Sequence, residues 1–266
     1  MLVELSHSLH TPTGKTLYDE WHATRARELH KNSVADSQLV ETRIGSGSDH
    51  TVFLNYLGIP TMLLEFNGPY GVYHSAYDDF YWMNHFGDPG YRYHALMTQL
   101  WGALSLRLAD SDVLPYDFAF CAQQIRLYVR ELDAASHVSA HMNLAALNQQ
   151  IDALEKSARE LNEAIAQALA SGKIDAATSE KLNRSLMKVE RNWCNPEGIP
   201  GRPWFKHDIY AARYTYAHLE LPGITEAAEA GKWDVAKAQA AILERELQTN
   251  TTLLTSARAG IANASQ

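Results

Sequence analysis

Apolar residues in the second half of the chain recur at the spacing of amphipathic helices. Between positions 144 and 168 the steps alternate between three and four residues, a pattern typical of helices packed at shallow angles in a bundle. Asp175 is predicted to cap the helix that follows. The apolar stripes consist of Leu144, Leu147, Ile151, Leu154, Ala158, Leu161, Ile165 and Ala168, then Leu182, Leu186, Val189 and Trp193, then Ala236, Ala240, Leu243, Leu247 and Leu254. Together with the change to long helices that begins at Tyr116, they predict a four-helix bundle.

Helical patterns also occur in the first part of the chain. Residues 1–10 fit the end of a helix, and residues 15–30 predict an exposed helix. A broad apolar stripe from 93 to 108 predicts a helix that packs on a sheet. An Asp-Pro-Gly turn at 88–90 is predicted to begin this helix, and Pro115 follows its end.

Short apolar runs between these helices predict strands. Residues 39–44 form one candidate, and residues 59–66 form a second that is predicted to be buried. The sequence therefore predicts two domains. Residues 1–112 are expected to belong to an α/β domain, and residues 113–266 to an α-helical one.

Composition and charge narrow the classes of partner. The chain has 266 residues with 23 basic and 31 acidic side chains, a net charge of −8, and no basic cluster, which argues against nucleic acid. No apolar run approaches the roughly 20 residues of a membrane span, and the N-terminus does not resemble a signal peptide. The expected location is cytoplasmic if the chain is complete, and secreted or membrane-anchored if it is a fragment. Cys121 and Cys194 are predicted to be buried thiols.

Two loops carry the candidate chemistry of the first part. Residues 68–79 place His74 between aromatic residues and close to two carboxylates. For a lone histidine, a hydrogen bond to a backbone carbonyl is a better-supported role than metal binding. The earlier loop, residues 45–50, contains Ser48 and Asp49, which are expected to cap the following helix as readily as to take part in catalysis.

A long connection, residues 195–223, links the last two bundle helices. Loops of this length in compact domains are more often functional than accidental. Its aromatic residues could form a pocket, or the loop could fold back on the bundle, and the residues alone favour neither alternative. These aromatic residues are Trp204, Phe205, Tyr210, Tyr214 and Tyr216.

An ordered set of short motifs resembles the C-terminal part of the glutamate carboxypeptidase II family of zinc exopeptidases, whose non-enzymatic relatives are the transferrin receptors. The match includes the end of the catalytic domain and the helical dimerisation domain. The motifs are Ile44-Gly45-Ser46-Gly47-Ser48-Asp49 with Phe53, Leu57-Gly58-Ile59, Tyr73-His74-Ser75 with Tyr77, Gly198-Ile199-Pro200-Gly201-Arg202-Pro203, Ile209-Tyr210-Ala211 and Leu221-Pro222-Gly223-Ile224.

The resemblance implies a role for several of these residues. His74 corresponds to a ligand of one of two zinc ions, and Tyr73 to a tyrosine that contacts the substrate carboxylate. Ser46, Gly47 and Ser48 correspond to a segment that lines the substrate site. Tyr216 corresponds to a tyrosine in a loop that covers the catalytic domain and binds the terminal residue of the substrate. The helical domain is implied to form a homodimer, and the complete enzyme is implied to cleave peptides.

The remaining zinc ligands and the general base of the family correspond to positions upstream of this sequence, so no catalytic residue is assigned. His7 and His10 have no accompanying carboxylate on a strand end. His137 and His141 lack the glutamate of a metalloprotease helix and are expected to be solvated. A two-zinc site needs several carboxylates. We therefore expect this chain alone to bind zinc weakly at most and to be inactive as a peptidase.

Departures from the family pattern bear on the substrate and on the alternative function. Leu63 and Glu65 replace basic residues, Thr215 replaces a lysine, and Ser48 replaces an asparagine, which favours a less acidic substrate. The alternative is a non-catalytic dimerisation or binding module of the transferrin receptor type. Retention of Tyr73 and His74 favours descent from an enzyme.

Overall fold

The computed structural model describes residues 1–213 and 216–264. The described chain is mostly helical, as the bundle stripes predicted. Its helices are α1 (Leu2–Ser8), α2 (Leu17–Glu28), α3 (His50–Asn55), α4 (Phe80–Trp82), α5 (Arg92–Ala109), α6 (Phe118–Ser136), α7 (Ala145–Ala170), α8 (Ala176–Arg191), α9 (Pro222–Glu229) and α10 (Trp233–Ala264). Short 3₁₀ turns lie at Asp36–Gln38 and Val138–Ala140, and a π turn lies at Met83–Gly87.

The contacts between residues divide the chain into two compact units. The first unit comprises Met1–Glu41 and Leu63–Ser111, and the second comprises Thr42–Met62 and Asp112–Gln266. The assignment of residues 1–112 and 113–266 to two domains stays a prediction.

The first unit is built around α1, α2 and α5. Its core contains Leu5 and Leu17 from the first two helices and three leucines of α5, at positions 96, 100 and 104. The predicted start of α5 is confirmed: the buried Asp88 carboxylate accepts hydrogen bonds from the backbone N–H groups of Tyr93 (3.1 Å) and His94 (3.0 Å). Unpaired N–H groups at a helix start are thereby satisfied.

The two predicted strands of the first part are not formed. Residues 39–44 contain no strand, and residues 59–66 are irregular, with Leu63 54% exposed rather than buried. A strand requires a neighbouring strand for its backbone hydrogen bonds. In the described residues no such neighbour is paired with either segment, so apolar composition alone did not produce a strand or a buried position.

The second unit has one large core shared by its long helices. Helix α7 packs on α6 and α10, and α10 also packs on α8 and α9. Most predicted stripe positions are buried, including Ile151 and Leu161 at 0% exposure. The Asp175 carboxylate accepts from the Thr178 N–H at 2.8 Å, which confirms the predicted cap. The helical character is confirmed, whereas the four-helix topology stays a prediction.

Regular structure also occurs within the long connection, where the sequence analysis did not expect it. Strands β1 (Tyr210–Arg213) and β2 (Ala217–Glu220) form an antiparallel pair in which Tyr210 lies opposite Glu220. Helix α9 follows directly. Ile209, Leu221 and Ile224 belong to the core of the helical unit. The connection therefore folds back onto the helices.

Candidate functional site

Two predicted site segments of the second unit meet at a pair of glycines. A Cβ atom at Gly45 would lie 1.8 Å from the carbonyl oxygen of Tyr216, and a Cβ at Gly47 would lie 1.9 Å from Cδ1 of its ring. Gly47 also has φ +96°, which L side chains rarely adopt. The Ser46 N–H donates to the Tyr216 carbonyl at 3.3 Å. Ser46, Gly47 and Tyr216 thus form one close-packed surface although about 170 residues separate them along the chain.

The loop is closed by a histidine that the sequence analysis did not assign. His50 Nε2 lies 3.2 Å from the Gly45 carbonyl oxygen, to which it donates. Its Nδ1 is buried without a hydrogen-bond partner among the described residues. Ser48 is exposed, and its carbonyl accepts from the Thr51 hydroxyl at 2.9 Å. The cap predicted for Asp49 is not made: Asp49 occupies the N-cap position of α3 without a side-chain hydrogen bond.

Arg43 fixes the segment that leads into this loop. Its guanidinium pairs with Glu131 of α6 at 2.5 Å and with Glu220 of β2 at 3.5 Å, and it lies over the Tyr128 ring at 5.2 Å. The Tyr128 hydroxyl donates to the Thr42 carbonyl at 3.2 Å. Burial raises the pKa of Tyr128, so that hydroxyl keeps its proton. Nothing local in the sequence indicates these contacts, because they join residues 85 or more positions apart.

Tyr73 and His74 lie in the first unit, on an exposed loop. Their rings are stacked with centroids 3.9 Å apart. His74 has φ +60°, and the turn is held by hydrogen bonds from the Ser75 N–H and hydroxyl to the Val72 carbonyl. His74 is exposed, so its imidazole is accessible to solvent. The loop does not follow a buried strand, contrary to the prediction.

The described residues do not by themselves fit a zinc site. They contain no group of three or more His, Cys, Asp or Glu side chains placed to hold a metal ion. Zinc in proteins takes three or four such ligands, and His74, the one predicted ligand, is a single residue. His137 and His141 are exposed as predicted, and His141 stacks on Trp233 at 3.8 Å.

The aromatic residues of the long connection take part in separate contacts. Trp204 stacks on Tyr56 at 5.7 Å, and Phe205 packs edge-on against Trp204 at 5.0 Å. Tyr210 packs against Tyr128, whereas Tyr216 packs on Gly47. The side chains considered as the lining of one pocket are therefore divided among three places. Tyr214 and Thr215, which also figured in the expectations, lie outside the described residues.

A buried histidine fixes the connection before β1. His207 is fully buried, and its Nε2 lies 3.0 Å from Oε1 of Glu190. Its Nδ1 accepts from the N–H groups of Ile209 and Tyr210, both at 3.2 Å. Since Nδ1 accepts, Nε2 must carry the proton, and the imidazole is held in one neutral tautomer.

The two cysteines are half-buried free thiols. Burial raises the pKa of Cys121 above its usual range and that of Cys194 to about 12. Both thiols therefore stay protonated at neutral pH, and neither is a candidate nucleophile.

Comparison with known proteins identifies the family to which this chain is similar. Residues 142–255 match the transferrin receptor-like dimerisation domain. Over 82% of its length the chain is 31% identical to a protein named "Probable glutamate carboxypeptidase" from Arabidopsis thaliana, and over 85% it is 30% identical to one of the same name from Zea mays. The chain belongs to the glutamate carboxypeptidase and transferrin receptor family.

Only part of each relative is matched. The chain spans 30% and 31% of the two plant glutamate carboxypeptidases, and 26% of a protein named "Inactive zinc metalloprotease" from Schizosaccharomyces pombe, to which it is 27% identical over 72% of its own length. The names connect the family with carboxypeptidase and zinc metalloprotease chemistry. None of the helices in the described part of the chain has the length and apolarity needed to cross a membrane.

Proposed function

We propose that this glutamate carboxypeptidase-family chain supplies the substrate-pocket and dimerisation part of a zinc-dependent exopeptidase, and that it does not hydrolyse peptides by itself. The observation that carries the proposal is the packing of Gly45 and Gly47 on Tyr216. This packing joins, within one unit, two segments that the family resemblance assigns to the substrate site.

The proposed roles follow the resemblance residue by residue. Ser46, Gly47, Ser48 and Tyr216 line the substrate site, and Tyr216 is 52% exposed, as a ligand contact requires. Tyr73 contacts the substrate carboxylate through its hydroxyl. His74 supplies one zinc ligand, for which an exposed imidazole is suited.

Exposed apolar side chains support the view that the first part packs against further polypeptide. Met62 and Leu63 lie on the irregular segment 59–66, and Phe80 is 74% exposed. In this proposal residues 1–112 belong to a larger α/β peptidase domain that supplies the remaining zinc ligands and the general base. Because Leu63 and Glu65 stand where the family pattern has basic residues, we expect a less acidic substrate.

Residues 113–266 are proposed to form a four-helix domain through which two chains associate. The match of residues 142–255 to the dimerisation domain supports this assignment. Sedimentation equilibrium of the purified chain at micromolar concentration is expected to give a dimer. A strictly monomeric chain would count against the interface.

The substrate site is tested by peptide binding without catalysis. A short peptide with a free C-terminal carboxylate is titrated into the chain, and NMR shifts are followed at Tyr73 and Tyr216. Gly47→Ala is expected to weaken the shifts at Tyr216, because the new methyl group displaces its ring. Gly201→Ala serves as the control, since Gly201 also has positive φ (+83°) but has no atom within 4 Å of the new Cβ. Equal effects of the two variants would contradict the assignment.

Metal content tests the inactivity of the isolated chain. Purified protein dialysed against zinc-free buffer is expected to retain less than one zinc ion per chain, because the described residues supply too few grouped ligands. Two tightly held zinc ions, lost in His74→Ala, would show that the chain builds the site without help.

A non-catalytic dimerisation or binding module is the second candidate. It is favoured by the relative whose name includes "Inactive zinc metalloprotease" and by the lack of a grouped metal-ligand set in the described residues. The two candidates differ in peptide binding. A module of this kind dimerises normally but shows no shift at Tyr216 when a peptide with a free carboxylate is added.

A further inference from the structure

An asparagine directly precedes a glycine where the loop 68–79 begins. Asn67-Gly68 is the one such pair in the sequence. Both residues are exposed and lie outside the helices and strands. Within the described part of the chain, residues 60–71 neither donate nor accept a backbone hydrogen bond. The backbone around this pair can therefore change its conformation without breaking regular structure.

The side-chain amide of Asn67 and the backbone nitrogen of Gly68 are both left open by their surroundings. Asn67 Nδ2 donates to Oε1 of Glu65 at 2.7 Å, whereas its carbonyl oxygen receives no hydrogen bond from the described residues. The Gly68 N–H has no acceptor among those residues either. Glycine also has no Cβ that would shield its nitrogen. A rotation of Asn67 thus brings Cγ to this nitrogen at little cost.

We propose that Asn67 is a site of spontaneous deamidation. The backbone nitrogen of Gly68 attacks Cγ of Asn67, the bond between Cγ and Nδ2 breaks, and ammonia leaves with the proton that the backbone nitrogen gives up. The product is a five-membered succinimide. Water then opens the ring at one of its two carbonyl carbons. Breaking the new bond gives aspartate, and breaking the original peptide bond gives isoaspartate.

Isoaspartate would change the path of the chain between two aromatic contacts. The Phe66 ring packs edge-on against Tyr93 of α5, with centroids 5.1 Å apart, and the Tyr70 ring lies 5.2 Å from that of Trp82. In isoaspartate the main chain runs through Cβ and Cγ, so one carbon atom is added between these two contacts. The loop 68–79 has to take up the added length.

Both products also place a negative charge beside Glu65. Ionised carboxylates only accept hydrogen bonds, and their like charges repel. The hydrogen bond that now joins Asn67 to Glu65 is therefore lost in either product, and the segment that leads into the loop loses its one side-chain tie within the described residues.

Formation of isoaspartate at position 67 tests the proposal. The purified chain is kept at body temperature and mildly alkaline pH, and its peptides are analysed by mass spectrometry at intervals. A mass increase of about one dalton is expected at Asn67, with isoaspartate among the products. Asn32, which is also exposed but precedes a serine, is the internal control and is expected to keep its amide. A rate at Asn67 no higher than that at Asn32 would overturn the proposal.

Gly68→Ala separates the chemistry from the fold. A Cβ at Gly68 meets no atom within 4 Å, so the folded chain accommodates the methyl group, which hinders attack by the adjoining nitrogen. This variant is expected to lose most of the isoaspartate signal. Gly71→Ala makes the same change in the same loop, again with no atom within 4 Å, and is expected to react as wild type does. Equal rates in the two variants would contradict the mechanism.

A synthetic peptide of residues 63–73 measures the reaction without the fold. Because the described residues place no backbone hydrogen bond over the site, the folded chain is expected to react at a rate similar to that of the peptide. A much slower reaction in the folded chain would show that the fold protects Asn67, and would refute the proposal. None of these measurements depends on peptidase activity.

NMR tests the consequence for the loop. Chain enriched in isoaspartate is compared with Asn67→Asp, which carries the new charge without the added carbon atom. The signals of Tyr73 and His74 are expected to shift further in the isoaspartate form. Identical spectra would show that the added atom does not reach the loop.

Discussion

Placing a single methyl group on Gly47 should disturb the candidate site more than the same change at any unhindered glycine. The new Cβ would lie 1.9 Å from Cδ1 and 2.0 Å from Cε1 of Tyr216, so the ring must move. The backbone at φ +96° adds strain of about 1–2 kcal/mol for an L residue. A displaced ring contact adds roughly 0.5–3 kcal/mol. We expect Gly47→Ala to lower the free energy of unfolding by about 1.5–5 kcal/mol in total.

A double-mutant cycle separates these two contributions. Gly47→Ala is measured by urea denaturation in wild type and in Tyr216→Ala, where there is no ring to displace. The strain remains in both backgrounds, whereas the ring contribution disappears in the second, so the difference is the coupling energy. Gly201→Ala, whose new Cβ meets nothing within 4 Å, reports strain alone. If Gly47→Ala costs the same in both backgrounds, the contact between Gly47 and Tyr216 is not formed, and the site described above is wrong.

Two further predictions follow, one for each unit. In the second unit, Leu161→Ala should lower the free energy of unfolding by about 2–5 kcal/mol because Leu161 is fully buried, whereas Leu169→Ala on the same helix, at a 43% exposed position, should cost less than about 1 kcal/mol; similar losses in urea denaturation would contradict the α7 packing. In the first unit, burial opposes ionisation of Asp88, but hydrogen bonds from His94 and Tyr93 outweigh it and hold the pKa of that carboxyl below its usual range. Its stabilising contribution is therefore present above its ordinary pKa and lost as pH falls. Asp88→Asn should make the free energy of unfolding less dependent on pH on the acid side. The same change at the exposed Asp78 should leave that dependence unaltered. An unchanged acid slope in Asp88→Asn would show that the hydrogen bonds from Tyr93 and His94 to Asp88 do not stabilise the unit.

The helices could be predicted because their signals are local. The three-and-four spacing between 144 and 168 depends on one segment, and α7 occupies Ala145–Ala170. The cap at Asp175 depends on residues three positions apart. By contrast, a strand depends on a partner elsewhere, which is why the apolar run 59–66 was wrongly predicted to be a buried strand.

The β1–β2 hairpin and the contact between Gly47 and Tyr216 also depend on residues that are not adjacent along the chain. Strands β1 and β2 have only four residues each and alternate weakly, so their pairing was not predicted. The approach of Gly47 to Tyr216 could not be derived from spacing, because it depends on how the long connection folds. The family resemblance placed both in one site, and the structure brings these two residues together. The resemblance could not indicate the ion pairs of Arg43, which depend on the particular residues of this chain.

Arg43 has a consequence for a loop that contains two glycines. Glycine-rich segments normally sample many conformations, and ordering one residue costs about 1–2 kcal/mol of backbone entropy. The segment before the loop is held to α6 and β2 by the ion pairs of the Arg43 guanidinium. At the other end of the loop, His50 donates a hydrogen bond to the Gly45 carbonyl. A molecule that docks on this surface meets a preorganised loop and does not have to supply that ordering energy from its own binding.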